Sequence, residues 1–107
     1  MQKILFICSQ NKLRSPTAEQ VFSQTPGLDV LSAGTNNDAI TPLSTELVEW
    51  ADKIFVMENM HRTKLQQRFR SALNGKNIIC LGIPDNFSYM DPELIAILKK
   101  KVPPFLA

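Results

Sequence analysis

One stretch near the start of the chain limits what it can fold into: Ile4-Leu5-Phe6-Ile7-Cys8-Ser9-Gln10-Asn11-Lys12-Leu13-Arg14-Ser15-Pro16-Thr17-Ala18-Glu19. The run Ile4 to Ile7 is apolar at every position. Continuous apolar runs of this length, rich in β-branched and aromatic residues, suit a strand buried on both faces of a parallel sheet. Ser15-Pro16-Thr17-Ala18-Glu19 then reads as a helix start, with Ser15 as N-cap and Pro16 at the first helical position. Cys8 to Arg14 is therefore a tight loop between the end of a strand and the start of a helix. Open α/β sheets bind their ligands at that place.

The physics of such a loop favours an anion. Unpaired N–H groups along the loop and at the helix start converge, and the helix dipole adds partial positive charge. Arg14 supplies a planar, permanently charged fork that matches a phosphate oxyanion. The field that holds an anion also favours a thiolate at Cys8. A thiolate beneath a bound phosphate is placed for in-line attack on phosphorus. Ser15 could donate its hydroxyl to the sulfur and so favour the ionised form.

The spacing is Cys8, five residues, then Arg14-Ser15-Pro16. It resembles the signature of the low-molecular-weight protein tyrosine phosphatases, with Cys8, Asn11, Arg14, Ser15, Pro16, Ala18 and Glu19 in the family's positions. Ser32-Ala33-Gly34-Thr35, Phe55-Val56-Met57-Glu58 and Ile83-Pro84-Asp85 resemble further family segments in the right order. The resemblance implies a cysteine-dependent phosphomonoesterase forming a phosphocysteine on Cys8. Arg14 would bind phosphate and the acid would lie in the Asp85 loop. It also implies that Ser9, Gln10, Asn11, Lys12, Leu13 and Ser15 surround the substrate's phosphate. Phosphorylated protein or a small phosphomonoester would be the partner, with no cofactor and no metal.

Along the chain, Lys3–Ile7, Leu28–Ser32, Lys53–Met57 and Asn77–Leu81 read as strands. Ser15 to about Gln24, Thr45–Ala51, Met60 to about Leu73 and Asp91 to about Val102 read as helices. Thr41 or Ser44 caps the second helix, and Gly34 allows a sharp turn after the second strand. Leu65, Phe69, Ala72 and Leu73 recur at helical spacing, with Arg62, Lys64, Arg68 and Arg70 on a solvated side. Alternating strands and helices give an α/β fold, a small three-layer sandwich around a four-stranded parallel sheet. With the family resemblance, the expected strand order is 2-1-3-4. The length of 107 residues predicts a single phosphatase-like domain over 1–107.

A phosphocysteine route needs a proton donor for the leaving oxygen and then a base for water. Asp91 precedes Pro92 and Glu93 at a helix start, where an N-cap explains it. Asp85 has no such explanation and follows the fourth strand, at the sheet edge that carries Cys8. Asp85 is the preferred acid. Phe87 and Tyr89 either wall the site or are simply packed.

The chain departs from the family in four places. Asp85-Asn86-Phe87 lacks the usual proline, and the segment from Thr35 to Ala51 is short. Gln10 replaces a common Gly, and Leu13 replaces a frequent second Cys. His61, the sole histidine, reads as a polar surface residue. His61 or Glu58 would otherwise support Asn11.

Two other functions compete with this reading. An arsenate reductase would relay electrons between Cys8 and Cys80, although Cys80 in Ile78-Ile79-Cys80-Leu81 reads as a buried thiol. A non-catalytic phospho-ligand binding module would leave the Cys8–Arg14 pair idle. A net charge of +2 is too small to indicate nucleic acid. Met1-Gln2-Lys3 precedes too short an apolar run for a signal peptide or a membrane span, so no membrane is expected. Two cysteines give no disulfide framework, which fits a reducing, cytoplasmic setting. A monomer or weak dimer is expected.

Overall fold

Each strand of the sheet is followed by a segment that returns over one face, so all four strands run parallel. The structure, a computed structural model, describes residues 1–106. The elements are β1 (Gln2–Cys8), α1 (Arg14–Phe22), β2 (Leu28–Gly34), α2 (Thr45–Trp50), β3 (Lys53–Val56), α3 (Asn59–Arg68), β4 (Asn77–Cys80) and α4 (Pro92–Lys101). A short 3-10 turn, Pro103–Phe105, follows. The order is β2-β1-β3-β4. Ile4 to Cys8 are buried because β1 is central, flanked by β2 and β3 and covered on both faces.

Side chains alternate between two cores. Ile4, Phe6 and Cys8 of β1 face one way with Phe55, Met57, Ile79 and Leu81, under Ala18 and Phe22 of α1 and Leu94 and Leu98 of α4. Leu5 and Ile7 face the other way with Ile54 and Val56, under Val48 of α2 and Leu65 of α3. Phe6 stacks between Phe22 and Phe55, with ring centroids 5.7 and 5.3 Å away. That sandwich fixes α1 over the centre of the sheet, and with it the loop that leads into α1.

Three local readings are corrected. The helix after β3 ends at Arg68, not near Leu73, because Phe69 leaves helical geometry (φ −129°, ψ 32°). Ser71, Asn74 and Gly75 are poor helix formers, and the turns they make carry Leu73 into the second core. Gly34 does not have the positive φ of a turn glycine. It is needed for lack of bulk, since a Cβ there would lie 2.5 Å from the Ser9 carbonyl oxygen and 2.6 Å from the Ala39 Cβ. Arg62 and Arg68 are not simply solvated, because they donate to the carbonyls of Ile78 (3.2 Å) and Thr35 (2.6 Å).

Candidate active site

The carboxyl ends of β1, β3 and β4 bring Cys8, Glu58 and Asp85 to one edge of the sheet. The loop from Ser9 to Leu13 is held there by its carbonyls. Cys8, Ser9 and Gln10 accept hydrogen bonds from the backbone N–H groups of Thr35 (2.9 Å), Asn36 (3.0 Å) and Ile40 (3.1 Å). The short segment after β2 thus straps the loop from outside. The backbone N–H groups from Ser9 to Ser15 donate to no backbone carbonyl among the described residues. Asn11 turns the loop with φ 58°, a left-handed conformation that Asn tolerates better than most residues. A loop whose carbonyls are tied outward and whose N–H groups are free is an anion nest.

Ser15 is not the N-cap of α1. Leu13 holds that position, without a side-chain cap, and Ser15 lies within the first turn. Pro16 falls in the same turn, where its missing N–H costs no helical bond. The Ser15 hydroxyl is used elsewhere: its Oγ lies 2.9 Å from Cys8 Sγ. The direction of that bond follows from its neighbours. Ser32 donates to the Glu19 carboxylate at 2.5 Å, so Ser32 Oγ accepts from Asn11 Nδ2 at 2.9 Å. Asn11 Nδ2 also donates to Ser15 Oγ at 2.9 Å. Ser15 has then accepted, and its own proton has two acceptors within reach, Cys8 Sγ at 2.9 Å and the Ala33 carbonyl at 3.4 Å, of which the sulfur is much the nearer. One carboxylate thereby orients a buried chain of donors that ends on the sulfur.

Arg14 is 2 % exposed. Its Nη1 is ion-paired with Glu58 Oε1 and donates to the Ile83 carbonyl at 2.8 Å. Arg14 also lines a small cavity, and its Nε carries a second, longer ion pair there. Asp85 Oδ1 lies 3.7 Å from Arg14 Nε, with Asp85 62 % exposed. A buried guanidinium without a carboxylate partner would be strongly destabilising, so Glu58 holds Arg14 in place as well as in charge.

Glu58 also begins α3, in a capping box with His61. The Glu58 N–H donates to His61 Nδ1 at 3.1 Å, and His61 Nε2 lies 2.9 Å from Ser9 Oγ. His61 is 0 % exposed, which corrects the reading of a surface histidine. Burial pushes its pKa down from 6.5 to about 4, and the neighbouring Arg14 charge adds to the effect. Neither His61 nor Glu58 supports Asn11. Glu58 holds Arg14, His61 holds Ser9, and Ser15 and Ser32 hold Asn11. The sequence signal for this arrangement was Glu58 and His61 at N-cap and N3 spacing before a polar helix.

Cys8, Ser9, Gln10, Lys12, Leu13, Arg14 and Asp85 line a cavity of about 90 Å³. Asn11 and Ser15 lie buried behind it as braces. Phe87 packs half-buried against the first core, and Tyr89 is exposed. Neither is among the cavity's lining residues, so the aromatic wall expected from them does not form there. Asp91 caps α4 through the Glu93 N–H at 2.9 Å. The loop before it is pinned to α1 by the Met90 N–H donating to Thr17 Oγ1 at 2.9 Å.

No protein-family model and no curated protein sequence matches the chain. Solved structures do match in fold. The YwlE arginine phosphatase from Geobacillus stearothermophilus superposes with a TM-score of 0.75 at 22 % identity, covering 94 % of this chain and 90 % of that one. The tyrosine phosphatase Wzb from Escherichia coli K30, in complex with phosphate, gives 0.76 at 21 % identity over 94 % and 92 %. SP-PTP, a low-molecular-weight protein tyrosine phosphatase from Streptococcus pyogenes, gives 0.76 at 18 % identity over 99 % and 91 %.

Proposed function

We propose that the protein is a cysteine-dependent phosphomonoesterase acting on phosphorylated protein side chains, with phosphotyrosine as the first candidate substrate. The observation that carries this reading is the convergence on one small cavity of Cys8, a loop of free N–H groups and the buried cation Arg14, with Asp85 at its rim. The fold shared with tyrosine and arginine phosphatases supports it.

In the first step, the Cys8 thiolate attacks phosphorus in line while the nest and Arg14 hold the equatorial oxygens. The ester oxygen leaves with a proton from Asp85, which becomes a carboxylate. Cys8 now carries the phosphoryl group. In the second step, Asp85 takes a proton from water and the resulting hydroxide attacks phosphorus. Inorganic phosphate departs, the thiolate is restored, and the Ser15 proton meets the returning charge. Asp85 suits both halves because it lines the cavity and remains open to solvent, whereas Asp91 is committed to its cap.

The geometry counts against a Cys8–Cys80 relay. Cys80 pairs with Val56, and Val56 with Ile7, so Cys80 sits two strands from β1. Two strand spacings are about 10 Å, beyond the roughly 7 Å that a disulfide spans between Cα atoms. Cys80 also faces the second core, whereas Cys8 faces the first. An idle binding module would give no product burst from an aryl phosphate.

The test is hydrolysis of nitrophenyl phosphate beside peptides carrying phosphotyrosine, phosphoserine, phosphothreonine and phosphoarginine. Cys8-dependent turnover, strongest on phosphotyrosine, is expected. Phosphoarginine belongs in the set because the cavity lacks an aromatic lining and one matching structure is an arginine phosphatase. Arsenate reduction without ester hydrolysis would overturn the proposal.

A further inference from the structure

His61 is buried, neutral and unused by the two chemical steps, yet it touches a residue that lines the cavity. Its hydrogen bonds fix its tautomer. Nδ1 accepts from the Glu58 N–H at 3.1 Å, so in a neutral ring the proton sits on Nε2. Nε2 lies 2.9 Å from Ser9 Oγ and therefore donates to it. The opposite polarity would put a proton on Nδ1, facing the Glu58 N–H donor head-on. Ser9 Oγ thus has its acceptor role filled, and its own proton has no acceptor side chain or carbonyl among the described residues. Ser9 shares the cavity with Cys8 and Arg14.

We propose that His61 is a positioning residue that turns the Ser9 hydroxyl proton into the cavity, so that Ser9 donates a hydrogen bond to an oxygen of the bound phosphoryl group. This rests on the reading of the cavity as a phosphate site. It adds one side-chain donor to the backbone nest and joins it to the element that holds Arg14. Glu58 grips Arg14 with its carboxylate and His61 with its N–H, so the start of α3 orients two ligands of one anion. Burial and the Arg14 charge keep the ring neutral, and Glu58 and Asp85 oppose them too weakly to reverse this.

The sole histidine makes the first arm direct, since nitrogen NMR of histidine-labelled protein at neutral pH reads one ring. The Nε2–H tautomer is expected, and the Nδ1–H tautomer or an imidazolium would overturn the proposal. The second arm is a phosphorus NMR titration with inorganic phosphate. Ser9→Ala should weaken binding about tenfold, as loss of a bond to a charged group does, and Ser9→Thr should restore most of it. His61→Gln keeps a donor near the Nε2 position and should bind close to wild type. His61→Leu should fall to the level of Ser9→Ala and cost nothing further in an Ser9→Ala background. Equal phosphate affinity of wild type and Ser9→Ala would overturn the proposal while leaving the phosphatase reading intact. Failure of the wild type to bind phosphate would remove that reading and the proposal with it. Should His61→Leu not fold, the tautomer and the Ser9 pair still decide.

Discussion

Ser15 Oγ lies 2.9 Å from Cys8 Sγ and is itself the acceptor of a 2.9 Å bond from Asn11 Nδ2. The sulfur is therefore the nearer acceptor of the Ser15 proton, the Ala33 carbonyl lying 3.4 Å away, and the chain that leaves Ser15 free to donate is oriented three side chains off, at Glu19. Ser15→Ala removes that donor and leaves one buried Asn11 N–H unpaired. Turnover of an aryl phosphate is expected to fall about a hundredfold, as when one preorganised donor is deleted from a charged site. Stability is expected to drop by about 1–3 kcal/mol. Rapid-mixing kinetics should place much of the loss in the second step, where the thiolate is the leaving group.

The two aspartates of the last loop separate by chemistry. Asp85 lines the cavity 3.7 Å from Arg14 Nε, and Asp91 caps α4. Asp85→Asn is expected to slow poor leaving groups most and nitrophenolate least, and to slow hydrolysis of the intermediate. Asp91→Asn keeps a good cap and should change neither stability nor leaving-group dependence. Asp91→Ala should cost about 0.5–2 kcal/mol in thermal melts with little kinetic change. A leaving-group effect from Asp91→Asn and none from Asp85→Asn would reverse the assignment.

His61 gives stability a pH dependence of known sign. Burial lowers its folded-state pKa to about 4 from 6.5, so between those values the unfolded chain binds more protons than the folded one. The neutral ring's contribution is complete above pH 6.5 and is lost as pH falls toward 4. The expected loss is of order 3 kcal/mol. Urea melts of wild type and His61→Gln across that range isolate it, because the carboxylates titrate in both. Parallel curves would contradict the burial argument.

Gly34 carries the strap behind the loop from Cys8 to Arg14. Gly34→Ala would drive a Cβ against the Ser9 carbonyl and Ala39, both too close to yield without moving the loop. A destabilisation of about 1–3 kcal/mol is expected, as for overpacked cores, with a larger proportional loss of turnover. Full activity in Gly34→Ala would show that the loop does not depend on that contact.

The sheet was legible because β1 has an unbroken apolar run and the strands and helices alternate at ordinary spacing. The Cys8–Arg14 loop was legible for a different reason: its residues are adjacent in sequence, so spacing alone brings them together. What stayed hidden was long-range. Ser32, Glu19 and His61 act through hydrogen bonds across 13 to 52 positions, and local pattern carries no trace of such pairings. Ser15 was misread as an N-cap because a Ser before Pro is a common cap, and here the competing partner was a sulfur on another element. His61 was misread because a polar helix start looks solvated until α3 is docked.

The most direct test is to trap the intermediate. Wild type and Cys8→Ser would be mixed with nitrophenyl phosphate, quenched in acid within milliseconds, digested and analysed by mass spectrometry. The expected result is one phosphoryl group on the peptide bearing Cys8 in the wild type, more of it in Asp85→Asn, and no steady turnover by Cys8→Ser although it still binds inorganic phosphate. Turnover by Cys8→Ser near the wild-type rate, or a phosphoryl group found on any other residue, would contradict the phosphocysteine mechanism.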